Sequence, residues 1–163
     1  MDYYINGFGA IDQENPASFY DIYKDWKDDY LNVDLTFTGA PVSEALLVKV
    51  ENILARIDEL DQQNRSLIEA QALQEDGGIM AQYAEKVLQT LQPQFHDAFI
   101  DGQDPAPPHI QMMRKLKFKG ISFVPEDTDV FACFIYCLDW RHTHKTLSCY
   151  YSENCEWPDF SIY

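Results

Sequence analysis

From position 31 the chain alternates: Leu31, Val33, Leu35 and Phe37 fall on one side, and Asn32, Asp34, Thr36 and Thr38 on the other. This two-residue period predicts a strand with one buried face. The segment Phe19 to Trp26 reads as its partner, with Lys27-Asp28-Asp29 closing a β-hairpin after an irregular opening. Gly39-Ala40-Pro41 ends the alternation, and Ser43 is placed to cap a helix. Leu46, Leu47, Val50, Ile53, Leu54, Ile57 and Leu60 then recur at helical spacing. A second helix is predicted from Asp61 to Leu73, ending before Gly77-Gly78, and a third carries Met80, Tyr83, Val87, Leu88 and Leu91 before Pro93. Residues 101–109 (DGQDPAPPH) read as a Pro-rich connection. Alternation then returns in Ile121 to Val124, Val130 to Asp139, Thr146 to Ser152 and Phe160 to Tyr163, with Lys115 to Lys119 as an extension of the first. The expected order is ββ-ααα-ββββ. This is an α+β fold in one domain, residues 1–163: an N-terminal β-hairpin, about three central helices, and a C-terminal antiparallel β-meander forming one sheet packed on the helices.

Charge changes this picture more than length does. Twenty-seven acidic and twelve basic residues leave a formal net charge of -15, and residues 1–40 alone hold eight acids against two bases. Such a chain is repelled by phosphate backbones and anionic membranes, so the expected partner is a basic protein rather than a nucleic acid or a membrane. Aromatic residues at 14% supply the burial that a disordered acidic chain lacks. No run approaches the ~18 apolar residues of a membrane helix. The opening Met1 to Gly7 has neither a basic nor an apolar region of a secretory signal. A cytoplasmic location follows as an expectation, with Cys133, Cys137, Cys149 and Cys155 as reduced thiols.

Candidate chemistry is sparse. Cys133 and Cys137 form a CxxxC spacing, but within an apolar strand, where positions i and i+4 are roughly 13 Å apart and cannot share a zinc ion. Asp139, His142 and His144 form an acid beside an HxH pair, a combination that holds iron or zinc in some enzymes. The segment is expected to be a surface hairpin loop tolerant of change, and no remote ligand completes the set. His96 and His109 have no evident nucleophile to serve. Gly7-Phe8-Gly9 is too short for a phosphate loop. Arg114 to Lys119 is the one basic cluster and reads as an edge strand protected by lysine, or as an internal counterweight to the acids. No cofactor is implied.

What remains is a surface of acids and aromatics. Asp21, Asp25, Asp28, Asp29 and Asp34 surround the first hairpin, with Tyr20, Tyr23, Trp26 and Tyr30 among them; Tyr150, Tyr151, Glu153, Glu156, Trp157 and Asp159 repeat the composition near the C-terminus. Aromatic anchors supply contact energy and carboxylates speed the capture of a basic protein. Asp25, Trp26, Asp28, Asp29, Tyr30, Tyr151, Glu153, Glu156 and Trp157 are therefore the candidate partner-binding residues. The run Ile121-Ser122-Phe123-Val124-Pro125-Glu126, then Val130-Phe131-Ala132-Cys133-Phe134 and a closing meander, resembles a bacterial family of small acidic α+β proteins of unknown function. It also resembles immunity proteins that neutralise toxins of interbacterial competition. The resemblance implies a non-enzymatic inhibitor whose acidic surface covers a basic toxin. The rival expectations are a metal-dependent enzyme built on His142, His144 and Asp139, and a housekeeping domain that binds a peptide or forms a homodimer through a sheet edge.

Overall fold

In the computed structural model, which describes all residues except Asp28, Thr128, Trp140 and 155–157, two sheets and a helical layer share one apolar core. A small antiparallel hairpin comes first, β1 (Asp2–Ile5) on β2 (Gly9–Asp12). The main sheet has six strands: β3 (Phe19–Trp26), β4 (Asp29–Thr36), β5 (Lys117–Phe123), β6 (Ala132–Cys137), β7 (Thr146–Tyr151) and β8 (Asp159–Ile162), lying in sequence order. Between β4 and β5 run α1 (Glu44–Ala55), α2 (Ile57–Ala72), α3 (Gly78–Thr90), a 3-10 turn Pro93–Ala98 and α4 (Pro108–Lys115).

The sheet is mixed, which corrects the expected all-antiparallel arrangement. β5 to β8 do form an antiparallel meander, but β4 pairs with β5 in parallel, Asn32 beside Gly120 and Asp34 beside Ser122. The physical reason lies in the connection, because the chain crosses the sheet through the whole helical layer before re-entering it, and only such a long return can place a parallel neighbour. Gly120 makes the seam possible. A Cβ there would stand 2.5 Å from the Asn32 carbonyl oxygen, so any other residue would push the strands apart.

Three further differences have local causes. The stripe from Leu46 to Leu60 continues across a break at Arg56 (φ -107°, ψ 18°), so what reads as one helix is α1 and α2. Ser43 does cap the first, its Oγ accepting from Leu46 N at 3.4 Å. α4 starts at Pro108 inside the segment read as loop, because a proline at the first helical position gives up an N–H that has no helical partner anyway. β1 and β2, four residues each, are too short to display a period, and Gly7 in the turn and Gly9 at the start of β2 take φ 95° and 86°.

All described helices contribute to one side. The inner face of the sheet carries Leu31, Val33, Leu35, Ile121, Phe123, Phe134, Tyr136, Leu147 and Tyr151, buried against Leu47, Val50, Leu60, Ile68, Tyr83 and Val87 of the helices. A polar knot ties α2 into this core. Asn64 donates to Tyr136 Oη at 3.1 Å and accepts from Tyr151 Oη and from Cys149 Sγ, while Tyr136 Oη donates to Asp61 Oδ1 at 3.1 Å. Arg65 (3.0 Å) and Lys27 (3.3 Å) neutralise Asp61, which is itself buried. Buried polar groups satisfied in this way fix the register of a helix on a sheet.

Candidate functional site

Because strands alternate, the side chains that do not enter the core stand on the opposite face of the six-stranded sheet, exposed along β3 and only partly so toward the middle, where Ser148 is buried. The pairing registers align them into rows. Asp21 lies opposite Asp34, Asp34 beside Ser122, Ser122 opposite Cys133, Cys133 opposite Tyr150, and Tyr150 opposite Asp159. This one row crosses all six strands, roughly 24 Å at the usual strand spacing. The next row runs Tyr23, Asn32, Gly120, Ile135, Ser148, Ser161, and beyond it Asp25 faces Tyr30. Tyr23 is 74% exposed and Tyr30 62%.

Acids gather at both ends of the face. At the β3–β4 end stand Asp21, Asp25 and Asp34; at the other, Asp127, Asp129 and Asp159 line a hollow of about 700 Å³ floored by Tyr150 and Tyr163. Lys119 of β5 is paired with Asp29. Asp34 is the electrostatically costly member. Burial raises its pKa above the ordinary aspartate value, the hydrogen bond from Ser122 Oγ acts against that rise, and the charge of Asp21 adds to it. Burial likewise raises the Cys133 thiol, with hydrogen bonds to Ser148 and Tyr150 opposing. A thiol held protonated, with no histidine in its row, is a poor nucleophile.

The partner-binding residues read from sequence separate sharply. Asp25 and Tyr30 are cross-strand partners on the open face. Trp26 is 8% exposed and packs edge-on against Phe118, and Tyr151 is buried with its hydroxyl on Asn64. Both are core rings and not surface anchors, because even positions of β3 and odd positions of β7 point inward. Asp29 is engaged by Lys119, and Glu153 reaches back to Lys49 of α1 at 3.0 Å. Asp28, Glu156 and Trp157 lie outside the described residues, as do Cys155 and Trp140. Tyr23, Asp21, Asp34, Tyr150 and Asp159 belong to the two acid-and-aromatic surfaces read from sequence but not to the candidate list drawn from them. The alternation of β3 and β7 carried the signal, but without the register nothing joined positions more than a hundred residues apart into one row.

The Asp139-His142-His144 segment is built differently from a metal centre. Asp139 is held by Arg141, which keeps its carboxyl well below the usual range, and His142 Nδ1 is 3.9 Å away. The His142 ring packs edge-on to Phe95 and Phe99, and Thr143 is buried. The segment is thus anchored on the helical layer rather than free to vary. Among the described residues no group of three or more His, Cys, Asp or Glu could hold a metal ion, and no helix is long and apolar enough to cross a membrane. Cys133, Cys137 and Cys149 are free thiols.

Compared with known proteins, the chain matches no family model, no curated protein and no solved structure.

Proposed function

We propose that the chain is a non-enzymatic binding protein that receives a basic protein on the open face of its sheet, acting as an immunity-type inhibitor of a basic toxin or effector. The observation that carries this reading is the row from Asp21 to Asp159, an acid at each end of the face turned away from the helices. Exposed rings of Tyr23 and Tyr30 provide contact area at low entropic cost, and the flanking carboxylates steer a cationic surface onto them. Asp34 supports the same reading. A half-buried carboxylate facing a second one costs stability, and a cationic group laid against the pair would relieve that cost.

The test is capture from the native host by three tagged forms: the native chain, a face variant (Asp21→Asn, Asp25→Asn, Asp34→Asn) and a control variant on the helical side (Asp58→Asn, Glu69→Gln, Glu75→Gln). Both variants change net charge equally. A basic protein held by the native chain and the control but lost by the face variant is the expected outcome. If that protein is also toxic alone and tolerated when co-expressed with this chain, the inhibitor role stands. An acidic partner, or one retained equally by all three, removes the reading.

A further inference from the structure

β3 is the first strand of the sheet and has a neighbour on one side only. Its pairing with β4 determines which backbone groups remain unused. Phe37 N donates to Ser18 O at 3.0 Å, and that pair continues the register of Phe19 with Thr36. Hydrogen-bonded and non-bonded pairs alternate along an antiparallel ladder. Tyr20, Ile22, Lys24 and Trp26 therefore direct their N–H and C=O groups to β4, whereas Phe19, Asp21, Tyr23 and Asp25 direct theirs outward. Among the described residues no backbone group bonds to them. The edge is eight residues long and contains no proline. Its charges, Asp21 and Asp25 on the open side and Lys24 on the helical side, protect the edge against a second acidic strand, while two carboxylates on one strip favour a basic one.

A cleft of about 670 Å³ runs along this same edge, between the tip of the β1–β2 hairpin (Ile5, Gly7), Ile22 and Lys24 of β3, and Glu51 and Leu54 of α1. A strand laid against β3 would send alternate side chains to opposite sides. Those on the open side would stand beside Asp21, Tyr23 and Asp25; those on the other would enter the cleft against Ile22 and Leu54. We propose that the β3 edge binds an extended segment of the basic partner as a seventh strand, with Lys or Arg on its open side alternating with apolar residues in the cleft. This rests on the open-face reading and names the element of the partner that engages it. Charge decides the occupant: two copies of β3 paired antiparallel would bring Asp21 and Asp25 of both onto one strip, whereas basic residues neutralise them.

The probe is a blocked octapeptide alternating Lys with Val, measured by fluorescence anisotropy against the full chain. In an antiparallel seventh strand the Lys N–H groups bond β3 and the Val N–H groups face away. Methylating the Lys backbone nitrogens should weaken binding at least about tenfold and methylating those of Val should not, while a Glu-Val peptide should not bind. On the protein side, Tyr23→Pro should bind the peptide far more weakly than Tyr23→Ala. The two lose the same ring, but only proline removes the outward N–H, and neither breaks a bond to β4. Should Tyr23→Pro unfold, the methylated peptides carry the test on the native chain alone. Equal, salt-sensitive binding of both methylated forms would overturn the edge proposal while leaving the open face as a charged surface. No binding by any form would overturn it too, independently of the capture experiment. A native dimer abolished by Tyr23→Pro would overturn it in favour of a second copy.

Discussion

Asp21 and Asp34 stand directly opposite each other on β3 and β4, two carboxylates on one face of an antiparallel pair. Like charges so placed repel, and the repulsion falls on Asp34, whose burial already raises its pKa. A carboxyl with a raised pKa in the folded state binds its proton more readily folded than unfolded. Ionised Asp34 therefore costs stability above its folded pKa, and that cost is relieved as pH falls through it. Asp34→Asn, which keeps an acceptor for Ser122, should raise the melting temperature at pH 7. The gain should shrink to nothing by about pH 3, where the native carboxyl is protonated folded or unfolded. Melting curves of the two proteins across that range decide it.

The parallel seam rests on the missing side chain of Gly120. Gly120→Ala should lower stability by about 3 kcal/mol, since the obstacle is the Asn32 backbone and not a flexible side-chain end. Gly102, with nothing within 4 Å and no unusual backbone angle, is the control. Gly102→Ala should stay within about 0.5 kcal/mol. Urea denaturation of the pair measures both.

Asn64 holds three groups of the core at once. Asn64→Leu should cost about 3 kcal/mol, because Tyr136, Tyr151 and Cys149 each lose a buried hydrogen-bond partner. Adding Tyr151→Phe removes one of the groups that Asn64 served, so the double variant should lose less than the two separate costs added together. A purely additive loss would mean that the two side chains do not act through their shared bond.

The three described thiols should react slowly in the native state. Burial pushes Cys137 up to about 12, and Cys149 and Cys133 above their ordinary value. At pH 8 a thiol reagent should modify Cys133, the one described cysteine with appreciable exposure, before Cys137 or Cys149. Mass mapping of early adducts checks the order. Labelling of Cys137 first would show that β6 opens at its C-terminal end.

How much of this was legible follows from which residues carry local signals. β3 matched its expected bounds because turn and alternation are both local. Ser43 marked its helix start for the same reason. The parallel seam was not legible, because Gly120 among Lys119 and Ile121 reads like any strand glycine, and only the Asn32 oxygen across from it explains it. The candidate site was half legible: the acids and rings of β3 and β4 were recognised as a group, but composition alone could not tell Tyr23, which faces out, from Trp26, which faces in.

The most direct test of the binding face is the association rate between the chain and the basic protein it captures, measured by stopped flow at low and high salt. Rim charges act mainly on association and are screened by salt. The native rate should fall several-fold as ionic strength rises, and the Asp21→Asn, Asp25→Asn, Asp34→Asn variant should be several-fold slower at low salt, while the Asp58→Asn, Glu69→Gln, Glu75→Gln variant associates at close to the native rate. An equal slowing by both variants would reduce the effect to net charge, and a salt-independent rate untouched by the first variant would place the binding surface elsewhere on the molecule.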